Sequence, residues 1–269
     1  MQKHIKIFKA IKWIIAAGLI SSLAACSTTT DPAEKFKNQS AEQIYQGGEV
    51  ALAKGHESDA IQHFEALDAL YPFGNNAEQA QLDLMYAYYH SGDNASAAAA
   101  AERFIRLYPR SPHADYAYYV KGLADFDQDR GWFQRFVPTD VSERDPGTAR
   151  QAFDDFNALL RIYPDSVYAP DARQRMIYLR NLFAGHELHV ARYYYQRKAY
   201  VAAANRANYI VQHYNGTPQV ENALGLMVRC YQKLGLQTSA QQALAVLQLN
   251  YPNGKILHNL TQPLKFNKA

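Results

Sequence analysis

The tetrapeptide His186-Glu187-Leu188-His189 is the stretch of this chain that most resembles metal chemistry. A helical zinc-hydrolase site needs its second histidine four residues after the first, so that both imidazoles meet one ion with the glutamate as base. Val190 stands at that place, so the motif is incomplete. No serine sits in a nucleophile elbow and no glycine-rich loop suits a phosphate. Cys230 falls within an apolar helical stretch and is expected to pack as a small hydrophobe. The expectation is a protein that is not an enzyme and needs no metal or diffusible cofactor.

Tyrosine is the other chemical resource, with 20 rings in 269 residues. Tyr45 with Glu49, Tyr86 with Tyr89 and His90, and Tyr119 with Leu123 and Phe126 recur at helical spacing. A tyrosine ring supplies contact area at low entropic cost, and its hydroxyl can hydrogen-bond an extended backbone. Those are the tools of peptide recognition. Whether the rings share a surface depends on the elements that carry them.

A ruler in the sequence defines those elements. Tyr71-Pro72, Tyr108-Pro109, Tyr163-Pro164 and Tyr251-Pro252 recur, with Tyr214-Asn215 as a near relative. Twelve residues before the second member of each pair stand Ala60, Ala97, Ala152, Ala203 and Ala240. Seventeen residues before Pro72, Pro109 and Pro252 stand Gly55, Gly92 and Gly235. Two helices per repeat satisfy this spacing: glycine turns the chain out of the first, alanine lets the second pack closely, and proline stops it. Residues 41–74 resemble a tetratricopeptide repeat, with Gly48, Gly55, Ala60, Phe64 and Pro72 at the signature places. Ala101 and Leu244 occupy the place of Phe64 in later units. The expected fold is all-α, an α-solenoid of about five tetratricopeptide-like helix pairs.

Two units break the period. From Tyr108 to Tyr163 is 55 residues where 37 separate the first pair and the last, so repeat three carries an insert over 129–146. It holds Trp132, Phe133, Phe136 and Val137, and Asp145-Pro146 reads as an N-cap followed by a first-turn proline. Repeat four has no strong breaker from Asp171 to Arg197, which predicts one long helix bracing repeats three and five. Lys198 stands where the other turns have glycine.

The amino terminus reads as an export signal over residues 1–25: Lys3, Lys6, Lys9 and Lys12, then an apolar run from Trp13 to Ile20, then small residues. The run is too short to span a bilayer. Its end, Leu23-Ala24-Ala25-Cys26, resembles a bacterial lipobox. That resemblance implies a covalent diacylglycerol and an N-acyl chain on Cys26, more than the two signals that stable anchoring requires. Removing the four lysines leaves 24 basic residues of the original 28 against 25 acidic ones, and the formal charge moves from +3 to −1. The basic pI therefore belongs largely to the signal, and no nucleic-acid partner is expected. With Cys26 acylated, Cys230 has no disulfide partner, so stability must come from the core. Ser27 follows the cysteine where an aspartate would, by analogy with enterobacterial sorting, retain the protein in the inner membrane. The expected place is the periplasmic face of the outer membrane.

The lipobox, "EALDALYPFG", "QLDLMYAYY", "DYAYYVKGLADF", "SERDPGTARQAFDDFNALLRIYPDS" and "RYYYQRKAY" together resemble the BamD family of β-barrel assembly lipoproteins from Cys26 to about Pro252. The resemblance implies binding of the C-terminal sorting strands of unfolded outer-membrane proteins. It also implies docking to the periplasmic domain of the barrel subunit BamA and to accessory Bam lipoproteins. Carried over, residues 26–40 are a lipidated linker, 41–165 a substrate-binding half, 166–254 a partner-binding half and 255–269 a tail. Tyr45, Phe73, Tyr86, Tyr89, Tyr119 and Phe126 become the expected sorting-strand site, and Arg197 the residue expected to pair with an acid of BamA. The rival reading is a tetratricopeptide pilotin for secretins, which leaves the blocks around Phe73 and Arg144 to Pro146 without explanation.

Overall fold

The computed structural model describes residues 31–128 and 146–261, and among them it contains twelve α-helices and no strand. The chain forms two compact units, one up to Ala80 and one from Gln81 onward. The expected acylation site Cys26, the expected signal, the aromatics of the insert and the residues after Thr261 lie outside the described residues. No described helix is long and apolar enough to cross a membrane.

The first unit holds α1 (Pro32–Phe36), α2 (Ala41–Ala53) and α3 (Glu57–Leu70). Ser40 starts α2 with a reciprocal cap: its hydroxyl accepts from the Gln43 amide at 3.3 Å, and the Gln43 side chain accepts from the Ser40 amide at 2.9 Å. Gly48 is required by packing, because a Cβ there would lie 2.5 Å from the ring of Phe64, which is fully buried. The Tyr71 hydroxyl donates to the Gln39 carbonyl at 2.9 Å and ties the end of α3 to the start of α2. Part of the expected linker 26–40 is helical: Asp31 caps α1, and Phe36 is buried with its ring 4.4 Å from that of His63.

The second unit begins inside α4 (Ala77–Ser91) and continues through α5 (Asn94–Leu107), α6 (Ala114–Gln128) and α7 (Gly147–Ile162). It ends with α8 (Ala169–Gln196), α9 (Tyr200–His213), α10 (Gln219–Lys233), α11 (Gln237–Asn250) and α12 (Lys255–Thr261). From α5 onward each helix packs on the next, and α8 is long enough to reach α10 as well. Phe156 repeats the Phe64 arrangement, fully buried against Gly122, where a Cβ would come within 2.6 Å of the ring.

The ruler has a physical cause. All five marked alanines are at most 4% exposed, as close helix contact demands. Tyr71, Tyr108, Tyr163, Tyr214 and Tyr251 each cap the second helix of a pair, with φ between −121° and −135°. Each donates its amide to the carbonyl four residues back, on a residue that is itself buried. Gly55, Gly92 and Gly235 turn between helices with φ of +69°, +85° and +74°. Lys198 adopts the same left-handed conformation at +62°, so the repeat-four turn keeps its shape without glycine.

Three boundaries differ from expectation. Pro146 is itself the cap of α7, accepting from Arg150 at 2.9 Å with no side-chain cap bond, so the helix starts one residue later than the proline-in-first-turn reading. The brace α8 begins at Ala169 rather than Asp171, with Pro170 in its first turn, where a missing amide proton costs nothing. Residues 255–261 are a helix, α12, held by the Ile256 amide donating to Glu221 at 2.9 Å, rather than a plain tail.

Candidate functional site

In the second unit α4, α6 and α8 present one cluster of rings and charges. Tyr89 of α4 donates its hydroxyl to Asp127 of α6 at 2.8 Å. Tyr119 of α6 donates to Asp171 of α8 at 2.8 Å and stacks on Tyr168, with centroids 4.7 Å apart and planes 14° from parallel. Arg175, one turn beyond Asp171, pairs with it and lies 4.9 Å over the ring of Phe126. Tyr178 completes the wall with its ring at 5.6 Å from Phe126 and remains partly exposed.

The electrostatics hold this cluster in one protonation state. Burial, and then the bond to Asp171, push the Tyr119 phenol up to about 12. Burial and the Asp127 carboxylate raise Tyr89 in the same sense. Both hydroxyls therefore stay protonated and donating at physiological pH. Burial alone would raise Asp171, but the bonds from Arg175 and Tyr119 outweigh it and hold its carboxyl below the ordinary value. Arg175 has five N–H donors, more than its contacts with Asp171 and Tyr119 use. The surface thus combines flat apolar faces with oriented donors and acceptors, which suits an extended peptide.

The six residues expected to bind a strand are distributed unequally. Tyr89, Tyr119 and Phe126 converge around Arg175. Tyr86 is on the same helix as Tyr89, stacked on its own His90 at 5.3 Å. Tyr45 and Phe73 belong to the first unit. There Tyr45 donates to Glu49 at 3.3 Å, and Phe73 is 96% exposed beyond the Tyr71-Pro72 stop. Arg197 caps the end of α8, with its guanidinium 5.4 Å over the Tyr193 ring and exposed to solvent.

Sequence reasoning missed Tyr168, Asp171, Arg175 and Tyr178, because α8 reads as a brace and nothing local marks its first turns as a wall. The usable signal is the ruler: α8 begins six residues after Tyr163, as α6 does after Tyr108, and so occupies the place of a first helix. Glu187 of the incomplete metal motif is buried, and its carboxylate accepts from Arg206 of α9 at 3.0 Å. Among the described residues no cluster of three or more histidine, cysteine or acidic side chains could hold a metal ion. Cys230 is fully buried, and burial pushes its thiol up to about 11.

A second polar cluster joins α6 to α7. Lys121 donates to Asp155 at 2.8 Å, and Gln151 donates to the same carboxylate. Asp125 is buried beside them; burial, and then its hydrogen bond to Asp155, hold its carboxyl well above the usual range. These side chains bind α6 to α7.

Comparison with known proteins places the chain in a family. The family described as outer membrane lipoprotein (YfiO) matches residues 37–255. The outer membrane protein assembly factor BamD of Neisseria meningitidis serogroup A is 38% identical over 256 residues, 95% of this chain and 96% of that protein. The protein of the same name from Vibrio cholerae is 38% identical over 242 residues, 89% of this chain and 99% of its own length. A solved structure of PilF from Pseudomonas aeruginosa is 14% identical with a TM-score of 0.38, covering 84% of this chain and 83% of that one, a likeness too low to argue from.

Proposed function

The chain belongs to the BamD family of outer membrane protein assembly factors, and from that premise we propose that it is a lipid-anchored, non-enzymatic receptor for unfolded outer-membrane proteins. The C-terminal sorting strand of such a protein is taken up in the α4–α6–α8 groove. The observation that carries this reading is the convergence of Tyr89, Tyr119 and Phe126 around Arg175. A strand that ends in an aromatic residue and a free carboxylate needs an apolar slot for its ring, bonds to its backbone and a cation for its end. The cluster supplies ring faces in Phe126 and Tyr168, polar groups in Tyr89 and Tyr119, and a cation in Arg175.

Docking falls to the C-terminal repeats. Arg197 stands at a helix end with an exposed guanidinium whose Nε donates to Tyr193 at 3.3 Å, and among the described residues its paired terminal donors have no partner and are offered to a carboxylate of the BamA periplasmic domain. Acylation of Cys26 holds the whole on the periplasmic face of the outer membrane, beside BamA and the accessory lipoproteins. Phe73, exposed on the first unit, is an additional contact for the incoming chain.

The binding energy comes from apolar burial at about 25 cal/mol per Å², less the cost of ordering a disordered strand. The result is an affinity of roughly 1 μM, weak enough for hand-off. Titrating a peptide with a terminal phenylalanine carboxylate into the full chain tests this. Tyr119→Ala should weaken binding about tenfold, the equivalent of about 1.4 kcal/mol. Equal affinity in the variant would remove the groove from the account.

A further inference from the structure

Four of the five ruler marks are Tyr-Pro, and the fifth is Tyr214-Asn215 with Gly216 behind it. All five build a turn in which the tyrosine carbonyl accepts from the amide three residues on, at 2.9–3.3 Å. Only the Tyr214 turn has a positive φ at its third place, +77° at Gly216, which makes it type II; Phe73, Arg110, Asp165 and Asn253 hold that place in the others. The carbonyl of its central peptide, on Asn215, faces Arg180 of α8. That guanidinium donates to it at 3.4 Å and to the His213 carbonyl at 3.5 Å. Asn215 and Gly216 are both exposed, and a Cβ on Gly216 would meet nothing within 4 Å. The closing bonds come from the amide and the hydroxyl of buried Thr217, so the Gly216 amide takes no part in them.

We propose that Asn215 is a site of spontaneous covalent modification, at which the side-chain amide is hydrolysed through a ring closed by the Gly216 nitrogen, with Arg180 promoting the closure. The Gly216 nitrogen attacks Cγ of Asn215; the N–Cγ bond forms, the Cγ–Nδ2 bond breaks, and the displaced amide nitrogen takes up the Gly216 proton and leaves as ammonia. Water then opens the five-membered imide at either carbonyl and leaves aspartate or isoaspartate. Nothing is oxidised or reduced, and water is the one co-reactant. Glycine suits the attacking position because it carries no Cβ to crowd the ring. Arg180 contributes because the Gly216 nitrogen and the Asn215 carbonyl oxygen belong to one peptide group. The nucleophilic form spreads negative charge onto that oxygen, where the guanidinium lies. A type II turn holds its second residue at ψ of about +120°, so the central peptide must rotate before Cγ reaches the nitrogen. The open space around Gly216 allows that rotation while Thr217 keeps the turn closed.

The chain carries its own control in Asn253-Gly254, its other Asn-Gly pair. There the attacking nitrogen is the donor that closes the turn, bonded to the Tyr251 carbonyl at 2.9 Å, and Gly254 is packed so closely on Glu221 that a Cβ would meet its carboxylate. Ring closure at Asn253 must break that bond and lift Gly254 away from α10. At Asn215 the product changes the turn itself: aspartate places a carboxylate beside Arg180, and isoaspartate lengthens the main chain between α9 and α10 by one carbon. The proposal does not depend on the sorting-strand reading.

The test incubates the full chain, folded in mild detergent and unfolded in urea, in mildly alkaline heavy-oxygen water and follows both asparagines by peptide mass spectrometry. In the folded chain Asn215 should convert about tenfold faster than Asn253, the ratio that follows if the closing hydrogen bond protects Asn253 by about 1.4 kcal/mol. In urea the two should convert at similar rates. Arg180→Gln should slow Asn215 about threefold in the folded chain, as removal of one exposed charge allows, and should leave the rate in urea unchanged. Arg180→Lys should keep part of the effect. Equal rates at the two asparagines in the folded chain, or conversion in urea alone, would overturn the site. A folded-state rate at Asn215 that is unchanged or faster in both Arg180 variants would overturn the role of Arg180.

Discussion

Replacing Lys198 with glycine should make the protein more stable. Lys198 is the one described non-glycine residue with positive φ, at +62°, in a turn whose counterparts are Gly55, Gly92 and Gly235. A non-glycine side chain in the left-handed region costs about 1–2 kcal/mol. Glycine removes that cost and adds about 0.5–1 kcal/mol of backbone entropy in the unfolded chain. The Lys198 side chain is exposed, so little contact is lost. The net gain is about 0.5–1 kcal/mol, and for a chain of this size that raises the melting temperature by about 1–4 °C. Because repeat arrays couple mainly to their neighbours, the gain should fall on the transition that melts α8 and α9. The reverse exchange, Gly235→Lys at φ +74°, should lower the midpoint by a similar amount. Differential scanning calorimetry on Lys198→Gly, Gly235→Lys and the parent reads both. A lower midpoint for Lys198→Gly, together with a tolerated Gly235→Lys, would refute the equivalence of the four turns.

Cys26→Ser should leave a folded, soluble protein that no longer sediments with outer membrane; continued sedimentation after a high-salt wash would contradict the anchor. Arg197→Asp should lower recovery of BamA in a pull-down about tenfold, since reversing one charge at an interface costs more than losing an exposed pair, and unchanged recovery would remove Arg197 from the contact. Asp125 binds its proton more tightly folded than unfolded, so the stability it contributes is present at acid pH and declines as pH rises from the ordinary aspartate value of about 3.9 toward neutrality. Asp125→Asn should therefore flatten that part of the stability profile and stabilise the protein at pH 8, as read by urea denaturation at several pH values; an unchanged slope would sink this account of the α6–α7 contact.

The architecture was legible because its constraints are local and periodic. Close packing buries Ala60 and its four counterparts, and the Tyr-Pro pairs record helix ends directly. Even the departure at Lys198 was visible as a missing glycine, though only coordinates show that the turn keeps its φ. Partnerships across the sequence were not legible. Nothing near Glu187 announces Arg206, 19 residues on, and nothing in "HELH" separates a metal site from a buried ion pair. The wall of Tyr168, Asp171 and Arg175 was hidden for a related reason. A helix of 28 residues can both brace its neighbours and line a groove, and periodicity alone shows only that it is long. The short helices α1 and α12 escaped because they are fixed by contacts distant in sequence, Phe36 on His63 and Ile256 on Gly225 and Glu221, rather than by a repeating pattern.

The most direct test of the central claim places a photocrosslinking amino acid at position 119 in cells that are secreting an outer-membrane barrel protein. The account predicts adducts that map to the terminal strand of the barrel and disappear when that strand is deleted. Adducts that persist without the strand, or that map to other parts of the barrel, would contradict it.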